Sequence, residues 1–290
     1  MMLPRRLGQI VKEKPEVRLS IIGEGLELLG GHVESLSASI ESLLGSGERA
    51  GAVALGVVCT EEAAKVLILL DMARDINSQK VLGSSAKNFY SHLPRAIYAA
   101  VHGANPTTYA EIVQDVASHR ESHYLDGPND ADWVFRNELL RQRETALYVD
   151  YEENEPGKFG WTGGDPELVY VSHEITRLVL SMKAVGMLTE TGAKVTSEVW
   201  KKSVFDEATR WEYCRDKAML VVRSVLSPDA EARQKFWPDI RRIAEKWTFP
   251  LTGLDLRVVN HLPDEMREKG SAVFEQMMMD EYGPSAHDYR

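Results

Sequence analysis

Two basic groups of this chain have the residue types for acid–base and phosphate chemistry. In SHLPRAIYAAVHG, His92, Arg95 and His102 stand within eleven residues. In VFRNELLRQRETALYVDY, Arg136, Arg141 and Arg143 precede Tyr148. An imidazole donates or accepts a proton near neutral pH. A guanidinium fork fits the oxygens of a phosphate. On a helix, His92, Arg95, Ala99 and His102 fall on one face, in a row roughly 15 Å long. One phosphate cannot touch both ends of such a row. A working site would therefore join one histidine to Arg143 or Arg136 from another helix, or to a second subunit. Tyr148 could donate a hydrogen bond there, but its high pKa makes it a poor base.

A third charged group lies where charge is costly. ALGVVCTEEAAKVLILLDMA, residues 54–73, is the most apolar stretch of the chain, yet it holds Glu61, Glu62 and Lys65. Apolar residues surround its helical axis almost completely, which marks a central, buried helix. Glu61 and Lys65 have the spacing of an i, i+4 pair at a helix edge. The other reading is that Glu62 and Lys65 anchor a polar network, with His92, Arg95 and the arginines of 136–143 as partners. An unpaired charge in such a place costs several kcal/mol, on the order of 3–5.

Helical periodicity dominates the elements that must position these groups, and strand alternation is scarce. The expected helices cover 17–45, bent near Gly30–Gly31, then 50–76 and 85–103. In the last, Pro94 kinks the helix or sits in a first turn starting near Ser91. Further helices are expected at 107–122 and 130–148. EENEPGKFGWTGGDP is the best break in the chain, and its FGW reads as a packing turn. Asp165–Pro166 then starts a helix to about 189, followed by helices over 195–226, 229–246 and 262–282. The aromatic helix EVWKKSVFDEATRWEYCRDKAMLVV reads as core plus a charged face. The expected organisation is an all-α bundle over 1–155 with further C-terminal helices, 156–290, packed on it.

The net charge of −10 argues against a generally basic nucleic-acid binder, while leaving room for a local basic groove. Cys59 and Cys214 read as small buried side chains in a reducing compartment. No leader and no convincing membrane span is visible, so a soluble cytoplasmic protein is expected. His119 and His123 in HRESH have the spacing of a metal pair, but Glu121 lies one residue too late for His-Glu-x-x-His. No cofactor or metal is expected.

SLSASIESLLGSGERAGAVALGVVCTEEAAKVLILL, then FYSHLPRAIYAA, then LRQRETALYVDYEEN and Trp161, resemble the AbiV-type abortive-infection family of the HEPN superfamily. The resemblance spans residues 25–170. It implies a HEPN-like up-down helical bundle, commonly a homodimer, used by bacteria against phage. Many HEPN proteins are similar to metal-independent ribonucleases, with an arginine followed after four to six residues by a histidine on a late helix. Here Arg95 and His102 have that spacing but sit on the third helix, while Arg143 is followed at that distance by Tyr148. The site expected from these residues is Arg143, His92, Arg95, Glu62, Lys65, His102 and Tyr148. The function implied is an RNA-cleaving or RNA-binding effector answering a phage-encoded trigger. The alternative is a non-catalytic helical module that binds a phage protein or a host translation component.

Overall fold

The computed structural model describes residues 6–125, 134–155, 158–162, 168–226 and 234–261. A 3-10 turn, Leu7–Lys12, precedes α1, Pro15–Gly45, whose proline occupies the first helical turn. Here the amide hydrogen that proline lacks would have had no partner. α1 is one helix, with the glycine pair inside it. Gly30 is there for its neighbour: a Cβ at this position would stand 2.8 Å from Leu188 Cδ1.

α2, Arg49–Arg74, is the hub. Ala63, Ala64 and every residue from Val66 to Arg74 are buried, so this helix is enclosed nearly all round. α1 and α7, Leu168–Ala184, flank it, with α4, His92–Gly103, α6, Glu138–Leu147, and α8, Glu190–Trp200, packed around it as well. Such enclosure explains the composition of α2, because no face of it can afford an unpaired charge.

Three expected boundaries differ from the structure. The region 76–103 holds two helices, α3 (Gln79–Asn88) and α4. Ser78 caps α3 through its hydroxyl, and Pro94 lies in the first turn of α4, where it does not kink the chain. The 130–148 region begins as strand. β1, Glu121–Leu125, pairs antiparallel with β2, Val134–Asn137, and Asn137 then caps α6 with its side-chain oxygen. The same Asn137 amide donates to His119 O and Glu121 O, which fixes the strand-to-helix corner. The single helix expected over 195–226 is two, α8 and α9 (Trp211–Val225). The chain leaves the helix after Trp200 because its indole enters the core, and residues 107–109 hydrogen-bond the intervening loop from Tyr109 N to Thr209 O and from Trp211 N to Thr107 O.

A two-stranded ribbon, β3 (Asp150–Glu155) and β4 (Lys158–Thr162), follows α6. The expected packing turn at FGW is thus a strand, and it faces outward: Phe159 and Trp161 are exposed, with Tyr151 against them. α10, Trp237–Lys246, packs on α7 and α9. β5, Val259–Asn260, adds to β1 in parallel. The helix expected over 262–282 and the start at Asp165–Pro166 lie outside the described residues. The architecture is all-α with minor strands, and one continuous core joins α1 and α2 to α7 through α10. No helix among the described residues is long and apolar enough to cross a membrane.

Candidate functional site

α2, α4 and α6 meet at one carboxylate, and it belongs to Glu61. Its Oε1 accepts from Arg143 Nε on α6 and faces His92 Nδ1 at the start of α4, each at 2.8 Å. Its Oε2 lies 3.0 Å from Arg95 Nη1, one turn further along α4. Sequence reasoning had Glu61 at the helix edge with Lys65 and gave the bridging role to Glu62. The structure corrects this. Glu62 pairs with Lys65 on its own helix, and Lys65 lies over the Phe89 ring at 5.4 Å. The two do not reach His92, Arg95 or Arg143 among the described contacts. A single residue separates the two choices: at about 3.6 residues per turn, one step along a helix rotates the side chain by about 100°, from one neighbouring helix to another. The rotation was legible only with the neighbours in place.

Burial alone would raise the Glu61 carboxyl. Hydrogen bonds from His92 and Arg143, and the charge of Arg95, outweigh that burial and hold it below the ordinary range. Glu61 is therefore an anion, and the cluster holds two guanidinium charges against one carboxylate, a net positive site on an acidic chain.

Exposure divides the cluster. The Arg95 side chain is 8% exposed and also donates its Nε to Ser91 O, so it serves as an internal brace. His92 is 49% and Arg143 24% exposed, so these two face outward. His92 Nδ1 lies near both Glu61 Oε1 and Arg95 Nη2, the latter at 2.9 Å. Nδ1 either donates to Glu61 Oε1 or accepts from Arg95 Nη2, and in the first of these tautomers Nε2 is the lone-pair nitrogen of the neutral ring. Arg143 spends Nε on Glu61, and its two terminal nitrogens make no hydrogen bond among the described residues. A basic nitrogen beside two unspent guanidinium donors is a set that can accept a proton and hold a phosphate oxygen.

The remaining expected residues lie elsewhere. His102 is no helix-end cation. It is buried, stacks on Tyr98 and donates Nδ1–H to Tyr98 O, and burial brings its pKa down to about 4. Tyr148 is exposed beyond the end of α6 and makes no hydrogen bond to the Glu61 group. Arg141 pairs with Glu138 on the same helix. Arg136 lies in β2, with its side chain outside the described residues. His119 ends α5 (Tyr109–His119), and His123 lies in β1, stacked 6.0 Å from His261, so the two imidazoles do not share a helix face.

A second polar cluster was missed altogether. At the C-terminal end of α2, Asp71 accepts from Arg74 Nη1 at 2.8 Å, and from Tyr98 OH and Leu251 N, each at 2.9 Å. The Arg74 guanidinium lies 3.9 Å from the Trp200 ring centre and 4.1 Å from that of Trp247, and donates to Thr248 O. All of these groups are buried, so the cluster is a clasp between the two ends of the chain. Both cysteines are buried and free, and burial pushes the Cys214 thiol up to about 12.

Residues 22–163 match the HEPN_AbiV family, described as AbiV. This region of the chain belongs to the AbiV-type HEPN family. No curated protein and no solved structure matches the chain. The AbiV region contains the whole Glu61 cluster, since Glu61, His92, Arg95 and Arg143 all fall within it. The C-terminal elements that complete the Arg74 clasp, α8 and residues 247–251, lie beyond it.

Proposed function

We propose that this AbiV protein is an abortive-infection effector that cleaves RNA, with His92 and Arg143 as the reacting groups. The observation that carries the reading is the single Glu61 carboxylate gathering His92, Arg95 and Arg143 from two other helices. In this mechanism His92 Nε2 takes the proton of a 2′-hydroxyl. The 2′-oxygen bonds to phosphorus, the bond to the 5′-oxygen breaks, and that oxygen takes a proton from water. A 2′,3′-cyclic phosphate results. Arg143 faces the charge that builds on the phosphorane, and Glu61 fixes the His92 tautomer while Arg95 braces Glu61. The working form is a homodimer in the cytoplasm, released by a phage-encoded trigger. Residues 1–155 carry the reacting groups, and 156–290 complete the fold around them.

Incubating the purified protein with total cellular RNA, with and without extract of infected cells, tests this. RNA cleavage should occur, and should fall about 10²-fold or more in His92→Ala and Arg143→Ala. Cleavage unchanged in a stable double variant would overturn the assignment.

One feature favours the non-catalytic reading. Tyr151, Phe159 and Trp161 form an exposed aromatic face on β3–β4, of the kind that engages another protein. Protection against phage that survives loss of His92 and Arg143, yet fails in Trp161→Ala, would select that reading.

A further inference from the structure

A groove of about 1230 Å³ opens beside the elements that carry the Glu61 cluster. One wall is α3, which turns Lys80, Ser84 and Lys87 into it, with Ser91 beyond the helix end. These residues follow at helical spacing and form a polar stripe along the groove. Lys80 and Lys87 are exposed and have no ion pair among the described residues.

The opposite wall is the segment 253–258. Asp255 there is shared between Arg257 and Arg120, two guanidinium groups on one carboxylate. The groove lining carries four cations, Lys80, Lys87, Arg141 and Arg257, against two carboxylates, Glu144 and Asp255, although the chain as a whole has a net charge of −10. The groove floor includes Leu93, and Arg141 and Glu144 close one side. Leu93 directly follows His92, while Arg141 and Glu144 bracket Arg143 on α6. The groove thus runs up to the elements that carry the proposed reacting groups.

Its volume exceeds the range of about 300–1,000 Å³ that suits a small ligand. Cations on both walls, separated by small hydroxyl side chains, suit a polymer with repeating phosphates and ribose hydroxyls. We infer that this groove binds single-stranded RNA and delivers it to His92 and Arg143. The inference rests on the RNA-cleaving reading above and adds the path of the strand. One wall of that path comes from residues outside the AbiV region, so substrate binding is where the C-terminal part of the chain enters the function.

The test is fluorescence anisotropy with a 5′-fluorescein oligouridine 20-mer, on the full-length protein, across a salt series. Lys80→Glu with Lys87→Glu should weaken binding on the order of tenfold and flatten the salt dependence. Lys201→Glu with Lys202→Glu, a charge change of the same size away from the groove, should leave binding unchanged. His92→Ala should lose cleavage but keep binding. Wild-type affinity in the Lys80/Lys87 variant, with cleavage still lost in His92→Ala, would overturn the groove and leave the RNA-cleaving reading standing. An equal loss in both lysine pairs would also overturn the groove. Absence of both RNA binding and cleavage by the wild-type protein, with infected-cell extract present, would overturn both proposals.

Discussion

Arg143 Nε meets Glu61 Oε1 at 2.8 Å across 82 residues of sequence, and this contact fastens α6 to the buried hub helix. The same oxygen faces His92 Nδ1 at the same distance, so one atom sets the relative position of the imidazole and the guanidinium. Whatever else α6 does, it cannot shift without dragging Arg143 off this oxygen.

Glu61→Gln keeps the shape of the side chain and removes its charge. It should lower stability at pH 7 by about 1–3 kcal/mol, since charge-assisted hydrogen bonds become neutral ones. RNA cleavage should fall further than this loss of stability explains, with the His92 ring no longer held by an anion. The pH dependence has a definite sign. The native carboxyl sits below its ordinary value of 4.5, so its stabilisation is present above that value and lost as pH falls through the lower native one. Urea unfolding at pH 7 and pH 4 should show a smaller acid loss in Glu61→Gln than in the wild type.

The buried histidine gives a second pH signature. His102 has an ordinary value of 6.5 and a native value of about 4. Unfolded chains take up its proton first as pH drops from 6.5, so stability should decline between 6.5 and 4 and level off below that. The full effect amounts to about 3 kcal/mol at most. His102→Leu should flatten this interval in unfolding curves while leaving RNA cleavage near the wild-type rate. A loss of cleavage with stability preserved would return His102 to the reaction.

Arg74→Ala should be severe. It leaves Asp71 buried with one charge partner gone and empties the space between Trp200 and Trp247. A cost of about 3–5 kcal/mol follows from an uncompensated buried carboxylate. Tyr98→Phe, which removes one donor from Asp71, should cost about 1–3 kcal/mol. Thermal melts of the two variants check both the order and the size.

Gly23→Ala tests the seam between the two halves of the chain. Its Cβ would stand 2.4 Å from Glu190 Cα, a backbone atom that cannot move aside cheaply. The substitution should cost about 1–3 kcal/mol by pushing α8 off α1. Gly31→Ala, about two turns further along α1 with nothing within 4 Å, is the control and should be near neutral or slightly stabilising.

Periodicity carried much of this fold in advance, because α1, α2 and α4 bury long apolar faces whose spacing is visible in one dimension. The AbiV order of motifs was equally visible, and it spans the three helices whose side chains meet at Glu61. What the chain did not disclose was direction. Glu61 and Glu62 are adjacent and chemically alike, and only the positions of α4 and α6 decide which one bridges. The break after Trp200 was hidden for a related reason: residues 201–210 are held by pairing with residues 107–109, a contact no local pattern encodes. β1 and β2 were masked by charged and polar residues that also fit helices. Asp71 and Arg74 went unremarked, since nothing nearby in sequence announces that two tryptophans more than a hundred residues later will close over the guanidinium.

That closure bears on how the protein could be cut or recombined. The 22–163 stretch ends before Trp200, Trp247 and the Leu251 amide, all of which terminate charges rooted in α2. Excised by itself, it would keep the Asp71–Arg74 pair but open it to water at the heart of its own hub. The AbiV segment of this protein is therefore not a transplantable cassette, and lineages that shuffle it must carry its indole cover along or rebuild one.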